Sequence, residues 1–260
     1  MKTLVLNKTL RIFETLARAE NPLTLKELCR RTGITPAAAS RLLSDLTERG
    51  YVRKVSYREF EPGLGMIDLG QSALRHNFFP QNAIRFLHEE LQRIGIGGAL
   101  AGSCVLDLFS GSGALAGMFD DRLVYLYHSL YEKGKHITML PIPEQPLSRS
   151  NIALVILCSR YGPEKAKEML CSELHEQEPE GEAEQRERSI LQRIEAFQKD
   201  HFAVWENGGY GWNICFPLID GAQVYGLSFL GDPTLKTIPP RLFLECSATA
   251  ANLRKILTRA

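Results

Sequence analysis

The length, composition and charge of the chain exclude several classes of protein. Its 260 residues, 44% hydrophobic and 23% charged, have the composition of a globular protein with room for two domains, and a net charge of +1 argues against a non-specific nucleic-acid coat. No run of eighteen apolar residues is present and the N-terminus lacks a signal peptide's apolar segment, so we expect a cytoplasmic protein with no membrane-spanning helix.

Charge is unevenly distributed along the chain. Residues 1–61 contain 12 Lys and Arg against 7 Asp and Glu, a net charge of +5, whereas the remaining residues contain 19 against 23, a net charge of −4. A basic N-terminal part joined to an acidic remainder is expected when one end of a protein meets a polyanion. The N-terminal part is therefore the candidate for nucleic-acid binding.

Three short amphipathic helices are predicted between residues 9 and 50. Apolar residues recur at three- and four-residue intervals from Leu10 to Ala17, so they share one face of the first helix. Thr24 and Glu27 have the pattern of a capping box, in which each side chain satisfies the other residue's backbone N–H, and they predict the start of the second helix. Gly33 is expected to end it.

The third helix is predicted to run from Thr35 to Arg49. Thr35 is expected to cap it, Pro36 occupies its first position, where a missing N–H costs nothing, and Gly50 suits the left-handed residue that commonly follows a helix. Two helices joined by a glycine-containing turn match the helix-turn-helix motif, whose second helix enters the major groove of DNA. The third helix is therefore the predicted recognition helix.

Polar residues outside this helix and in the basic ribbon that follows it are the candidates for DNA contacts. The start of the recognition helix, Pro36-Ala37-Ala38, offers methyl groups rather than hydrogen-bond donors, so base reading would depend on polar residues further along. Residues 51–55 and 59–60 predict the two strands of a wing whose basic side chains meet phosphates. The predicted DNA-binding residues are Thr24, Thr35, Ser40, Arg41, Ser44, Arg53, Lys54 and Arg58. An ordinary solvated basic face, or a winged helix that binds protein, is the alternative.

Residues after the wing predict a linker helix and a second, larger domain. Helical spacing continues from Leu64 to about Gly97, and Pro80 interrupts it. Strands are predicted at residues 104–109, 114–119, 122–129, 136–140, 202–205, 212–219 and 223–230, and further helices at 150–159, 163–174, 188–199 and 241–257. Acidic residues 173–187 predict an exposed connection. The expected organisation is a winged helix over 1–63, a linker helix over 64–80, and a mixed α and antiparallel β domain over 81–260.

Several segments together resemble IclR-type transcriptional regulators. They are LKELCRRTGIT and SRLLSDLTERGYVRK, FEPGLGMIDLGQSAL after the wing, DDRLVYLYHS, PLSRSNIALVILC, and CFPLIDGAQVYGLSFLGDP before the last helix. The resemblance spans nearly the whole chain. It implies an α+β fold, with an N-terminal winged helix-turn-helix and a C-terminal GAF-like antiparallel-sheet domain that binds a small effector. It also implies a homodimer or homotetramer on a palindromic operator in double-stranded DNA.

The resemblance also implies where an effector would bind. The pocket would lie over the sheet, and its lining would include Asn151, Ile152, the Trp205–Glu206 turn, Asn213, Ser228 and Leu230. Members that take small carboxylates have Asp, Cys and two Ser at the places of the Trp205–Glu206 turn, Asn213, Ser228 and Leu230. Of these four residues, this chain keeps only Ser228. We therefore expect a more apolar pocket in which an aromatic effector stacks on Trp205. The alternative is a pocket that is filled by its own side chains and binds nothing.

One motif points to a different class of protein. VLDLFSGSGALA, residues 105–116, resembles the first motif of Rossmann-like methyltransferases, in which a glycine-rich turn approaches S-adenosylmethionine. Only residues 114–119 follow before Asp120, too few for the helix of a parallel crossover. The six cysteines and six histidines are dispersed, so we expect reduced thiols and no metal or other cofactor. We predict no enzymatic activity and keep an S-adenosylmethionine-dependent methyltransferase as the alternative.

Overall fold

The structure of the protein is a computed structural model. It describes residues 4–73, 81–104, 122–132, 135–138, 146–177, 179–207, 211–220, 223–231 and 237–257. The chain divides into two units, residues 1–79 and 80–260. The predicted linker helix lies in the first unit, and the finer boundaries at residues 63 and 80 remain a prediction. Within the described ranges, no helix is long and apolar enough to cross a membrane.

The first unit combines helices with a small antiparallel sheet. Its described elements are α1 (Leu4–Ala17), β1 (Leu23–Thr24), α2 (Leu25–Thr32), α3 (Pro36–Glu48), β2 (Val52–Lys54), β3 (Glu59–Pro62) and α4 (Leu64–Ala73). The strand order is β1-β3-β2, so β3 is the central strand and the β2–β3 hairpin projects as a wing. The three predicted helices and the ribbon are all present.

The buried face of α1 differs from the predicted one. Ile12 and Leu16 are buried and pack with the apolar faces of α2 and α3, whereas Leu10 and Ala17 are exposed. Leu10 lies two residues before Ile12 and therefore on nearly the opposite side of the helix. The pattern that began at Leu10 identified the helix correctly but placed the core on the wrong side of its N-terminal half.

Capping explains where α2 and α3 begin and end. The Thr24 hydroxyl accepts the Glu27 backbone N–H at 3.2 Å and Glu27 Oε2 accepts the Thr24 backbone N–H at 2.9 Å, so the predicted capping box is confirmed. Gly33 follows α2 with φ 68° and Gly50 follows α3 with φ 75°. The N–H of Gly50 bonds to the carbonyl of Thr47 at 3.0 Å, which closes the last turn of α3.

The second unit is built on an antiparallel sheet between helical layers. The described strands lie in the order β6-β5-β4-β9-β8-β7, and every neighbouring pair is antiparallel. The elements are α5 (Gln81–Ile94), β4 (Gly97–Cys104), β5 (Arg122–Glu132), β6 (Lys135–Thr138), a 3₁₀ turn (Leu147–Arg149), α6 (Asn151–Tyr161), α7 (Pro163–Gln177), α8 (Glu180–Asp200), β7 (Ala203–Asn207), β8 (Gly211–Asp220), β9 (Gln223–Leu230) and α9 (Pro240–Leu257).

The two faces of this sheet meet different helices. Cys215 of β8 packs in the core that α6, α7 and α8 form, whereas its neighbour Phe216 contacts Phe202, which in turn contacts Phe243 of α9. Neighbouring residues in a strand point to opposite faces, so α6 and α9 cover opposite sides. Helix α5 packs against α9. We call the side covered by α6 the α6 face.

Two predicted elements of the second unit are corrected, and one observed strand was not predicted. The acidic connection over 173–187 is mostly helical, because Leu174 and Ala183 are buried while Glu176 and Glu184 are exposed on α7 and α8. The helix predicted to reach Gly97 ends at Ile94, where Gly95 takes a left-handed φ of 78°. Strand β4, Gly97–Cys104, was not predicted. Residues 105–121 lie outside the described ranges, and with them the strand predicted at 114–119 and all but Cys104 of the strand predicted at 104–109.

Candidate DNA interface and effector site

The outer face of α3 presents the residues that sequence analysis assigned to DNA. Ser40, Arg41 and Ser44 are all exposed, while Ala39 and Leu43 on the opposite side are buried in the core of the first unit. The helix is thus anchored by its apolar stripe and displays polar groups outward. This is the arrangement that a recognition helix requires to reach base edges in the major groove.

Thr35 and Thr24 have different structural roles. The Thr35 side chain is exposed beside the first turn of α3 and makes no capping hydrogen bond, contrary to the prediction, so its hydroxyl is available to a phosphate at this helix N-terminus. The Thr24 hydroxyl instead donates to Glu27 Oε2 at 2.7 Å. This hydrogen bond is the main cause of the lowered pKa of Glu27. Thr24 therefore stabilises the start of α2.

The tip of the wing is a cluster of two cations around an aromatic ring. The Lys54 ammonium lies 5.1 Å and the Arg58 guanidinium carbon 5.8 Å from the centre of the Tyr57 ring, which is 83% exposed. The hairpin is closed by the Val55 N–H, which donates to the Glu59 carbonyl at 2.9 Å. Both cations remain exposed, so they can contact phosphates as predicted.

Arg53 is the predicted phosphate contact whose surroundings differ most from expectation. It lies opposite Glu61 in the β2–β3 register, and its guanidinium donates two hydrogen bonds to the Glu61 carboxylate. Its charge is therefore balanced within the wing. Cross-strand pairing of opposite charges stabilises a hairpin. The Arg53–Glu61 pair can be recognised in the sequence only when the register of β2 and β3 is known.

A close glycine contact fixes the start of α4 against the end of α3. The Gly65 N–H donates to the Gly50 carbonyl at 3.0 Å, and the Gly63 N–H donates to the Tyr51 carbonyl at 2.9 Å. A Cβ atom on Gly63 would lie 2.2 Å from the Gly50 carbonyl oxygen, which no real structure tolerates. The glycines of the FEPGLG segment therefore have a packing role, which sequence analysis did not identify.

Three residues of the predicted effector pocket form one hydrogen-bond chain on the α6 face. Asn151 Nδ2 at the start of α6 donates to Asn213 Oδ1 in β8 at 3.3 Å, and Asn213 Nδ2 donates to Ser228 Oγ in β9 at 2.9 Å. The Cys215 thiol also donates to Asn213 Oδ1 at 3.0 Å. The two amides thereby connect α6 to the centre of the sheet.

Arg193 joins this chain and was not predicted. Its Nη1 donates to Asn151 Oδ1 at 2.8 Å, and its guanidinium carbon lies 4.3 Å from the centre of the Trp205 ring. The side chain is 8% exposed, and burial lowers its pKa to about 10. The predicted pocket was apolar with an open Trp205 ring, whereas this cation covers one face of that ring. Arg193 follows the buried Ile190 at helical spacing on α8, and this position was the available signal.

The remaining predicted lining residues lie near this chain of hydrogen bonds. Ile152 is buried against Gly226, where a Cβ would lie 2.6 Å from Ile152 Cγ2, so this glycine lets α6 approach β9 closely. Leu230 is half-buried and lies opposite Asn213. The Trp205–Glu206 pair was predicted as a turn but lies within β7, because the backbone pairs with β8 from Ala203 onward.

His128 and Tyr125 lie further along the same face of the sheet. The register aligns His128 with Ala99 and Ala99 with Ser228, so His128 shares the face that carries the polar chain. The ring of Tyr125, which packs against the α6 core, lies 6.1 Å from the His128 ring. His128 Nδ1 is buried without a hydrogen-bond partner among the described atoms, and burial lowers the pKa of this imidazole.

Other chemistry has less support in the described part of the chain. No group of three or more potential metal ligands occurs there, and five cysteines are free thiols: Cys29, Cys158, Cys171, Cys215 and Cys246. Burial raises the pKa of Cys158, Cys215 and Cys246 to about 12, so these thiols are protonated at neutral pH. The methyltransferase-like motif lies outside the described residues. The strand before it, β4, is antiparallel to both neighbours, which contradicts a Rossmann-like parallel sheet.

Comparisons with known proteins give the same architecture. Residues 5–56 match the model of the IclR helix-turn-helix domain. Crystal structures of an IclR family regulator from Brucella abortus (TM-score 0.70, 17% identity, 97% of this chain and 92% of that one) and of one from Alicyclobacillus acidocaldarius (0.67, 16%, 100% and 99%) are similar. So is an IclR homologue from Microbacterium hydrocarbonoxydans complexed with 4-hydroxybenzoate (0.63, 17%, 98% and 100%). No curated protein sequence matches the chain.

The first unit is a winged helix-turn-helix, an architecture that binds DNA, and it is followed by a unit with an antiparallel sheet between helices. Residues 5–56 are an IclR helix-turn-helix domain, and the whole chain has the fold that IclR-family regulators share. The predicted α+β fold is thereby confirmed, and the predicted resemblance to IclR-type regulators is confirmed at the helix-turn-helix domain, residues 5–56.

Proposed function

We propose that this regulator binds a palindromic operator as a homodimer and that its second unit senses a small molecule with an aromatic or apolar body. The observation that carries the proposal is the buried chain from Asn151 through Asn213 to Ser228. It gathers hydrogen-bonding groups beside Trp205 and Ile152 on one face of the sheet, a combination typical of small-molecule sites.

On the DNA side, α3 enters the major groove and the wing meets the backbone. Ser40, Arg41 and Ser44 face the base edges, because the rest of α3 is held by the core. Thr35 and the Lys54–Tyr57–Arg58 cluster contact phosphates, which position the domain and make its affinity depend on salt. In a dimer the two recognition helices meet half-sites about 34–36 Å apart.

Exposed apolar residues on α1 and α4 support a homodimer joined through the N-terminal unit. Large side chains on both helices are more than 45% exposed: Leu4, Val5, Leu6 and Leu10 on α1, and Leu64, Ile67 and Leu69 on α4. Apolar surface of this extent on a soluble domain commonly marks an interface. A second copy of the chain covers it in the proposal, and a homotetramer would use further surface in addition.

For the effector, the IclR homologue from Microbacterium hydrocarbonoxydans supplies the chemical analogy, since that protein is complexed with 4-hydroxybenzoate. An aromatic body suits the apolar and ring surfaces of Ile152 and Trp205. The molecule changes operator affinity only through its different affinities for the DNA-bound and free proteins. A site that is filled by its own side chains and binds nothing is the competing possibility.

The proposal is tested with the purified full-length protein in two measurements. Selection of genomic DNA fragments at low ionic strength should enrich a palindrome, and the Arg41→Ala protein should not enrich it. Calorimetry with a panel of aromatic acids should then show heat of binding, and the acid that binds should change affinity for the selected operator. Absence of any fragment enrichment contradicts DNA regulation, whereas enrichment without any heat contradicts only effector sensing.

A further inference from the structure

Arg193 is a buried cation whose partners in the described structure are all neutral. Its Nη1 donates to Asn151 Oδ1 at 2.8 Å, its Nε to the Ser189 carbonyl at 3.3 Å, and its Nη2 to the Ser148 carbonyl at 3.5 Å. It is 8% exposed, and among the described residues no carboxylate forms an ion pair with it.

This environment gives the charged guanidinium group no counter-ion among the described residues. Arginine is rarely buried without an anion, because a charge removed from water loses several kcal/mol of hydration, on the order of the attraction that a close counter-ion restores. The Trp205 ring and the amide of Asn151 compensate only part of this loss. The fork of N–H donors also exceeds the three acceptors present, since a guanidinium has five.

The position of Arg193 indicates which molecule supplies the missing counter-ion. Asn151 connects the guanidinium directly to Asn213 and through it to Ser228, so the cation belongs to the same polar chain as the proposed effector site. We infer that Arg193 binds the carboxylate of the effector and thereby selects organic acids over neutral molecules of the same shape. This inference rests on the proposed effector site and specifies the chemical class of its ligand.

A purely structural role for Arg193 makes a different prediction. If the guanidinium only tied α8 to α6 and β7, the affinity of a ligand would not depend on the ligand's charge. If it binds a carboxylate, an acid and its uncharged amide differ strongly although their shapes match, because hydrogen bonds to a charged acceptor are markedly stronger. The comparison of acid with amide on the unmodified protein therefore requires no substitution in the core.

The experiment uses the full-length protein and calorimetry with benzoate, 4-hydroxybenzoate and phenylacetate, each beside its neutral amide. We expect at least one acid to bind at least tenfold more tightly than its amide. Arg193→Gln, which keeps a donor for Asn151, should lose at least tenfold in affinity for that acid, and Arg193→Lys should retain part of it. Arg188→Gln, an exposed arginine on the same helix, is the matched control and should bind like the unmodified protein.

The possible failures are distinguishable. If acids and amides bind equally, or if Arg193→Gln binds the acid as tightly as the control, the role of Arg193 is refuted while effector sensing stands. If no compound of the panel binds at millimolar concentration, both the inference and the effector half of the proposed function are contradicted. Denaturant unfolding of each variant, beside the unmodified protein, reports whether its second unit is intact.

Discussion

The guanidinium carbon of Arg193 lies 4.3 Å from the centre of the Trp205 ring, so a buried cation covers one face of that ring. The contact joins α8 to the edge strand β7 and orients the guanidinium toward Asn151. It also changes the chemistry expected of the proposed effector site, because the cation already covers one face of the Trp205 ring.

Trp205→Leu should therefore weaken binding of an acidic effector without removing the charge. The cation–π contact contributes on the order of 1–2 kcal/mol when desolvated, so a loss of about five- to thirtyfold in affinity is expected by calorimetry. Trp205→Phe keeps a ring under the guanidinium and should lose less. Equal affinities for the Leu and Phe variants would show that the stacking does not matter for the ligand.

Arg41→Ala and Ser228→Leu should separate the two functions of the chain. Removal of one base contact costs about 1–3 kcal/mol, so Arg41→Ala should weaken operator binding roughly tenfold or more in fluorescence anisotropy. Ser228→Leu should bind the operator normally and lose its response to effector, since it removes the acceptor of Asn213. Ser228→Ala, which adds no bulk at this buried position, should behave in the same direction. A similar loss of operator binding from the Arg41 and Ser228 changes would contradict this division.

The three basic residues of the wing should differ in how they affect salt dependence. Lys54→Ala and Arg58→Ala should each reduce the slope of log affinity against log salt concentration by about 1, the value for one lost phosphate contact. Arg53→Ala is the matched control, because Glu61 already neutralises Arg53 within the hairpin. A titration of operator affinity from low to moderate salt measures the three slopes. An equal reduction for Arg53→Ala would mean that DNA displaces Glu61.

Gly63→Ala and Gly70→Ala should have opposite effects on stability. A Cβ on Gly63 collides with the Gly50 carbonyl, so we expect the first unit to lose about 1–3 kcal/mol in free energy of unfolding, as overpacked positions do. Gly70 lies within α4 with nothing inside 4 Å of its added Cβ, and alanine there should stabilise the helix by about 0.5–1 kcal/mol. Denaturant unfolding of the two variants measures both signs, and destabilisation by both would contradict the local explanation.

Stability should fall in mild acid because of His128. Burial lowers the pKa of this imidazole below its ordinary value of 6.5, so the unfolded chain binds more protons than the folded one between 6.5 and the folded value. The free energy of unfolding should therefore decrease as pH drops below about 6.5. His128→Phe should flatten that decrease between pH 7.5 and 5, and an unchanged pH profile in this variant would assign the effect to another group.

Short sequence patterns predicted the features that depend only on residues close together in the chain. The capping box of Thr24 and Glu27, the end of α2 at Gly33, the left-handed Gly50 and the exposed polar side of α3 follow from residues within one or two helical turns, and all were found as expected. The alternating strands near the C-terminus were also located to within a few residues. These features form for the same reason in many chains, so the sequence is sufficient to find them.

Features that depend on distant partners were missed. Arg193 lies 42 residues from the amide that it contacts, and its helical spacing alone indicated only a position on a buried face. Neutralisation of Arg53 required the register of the wing, and the burial of Ile12 rather than Leu10 required the orientation of α1 against its neighbours. In each case the deciding interaction is tertiary, and no window of sequence contains both partners in their final geometry.

The glycine contact between α3 and α4 has a mechanical consequence. Since the first turn of α4 is bonded to the carbonyl of the residue that closes the recognition helix, little slack exists between them. A rotation of α4 would therefore rotate α3, and with it the proposed DNA-binding surface, by a comparable angle.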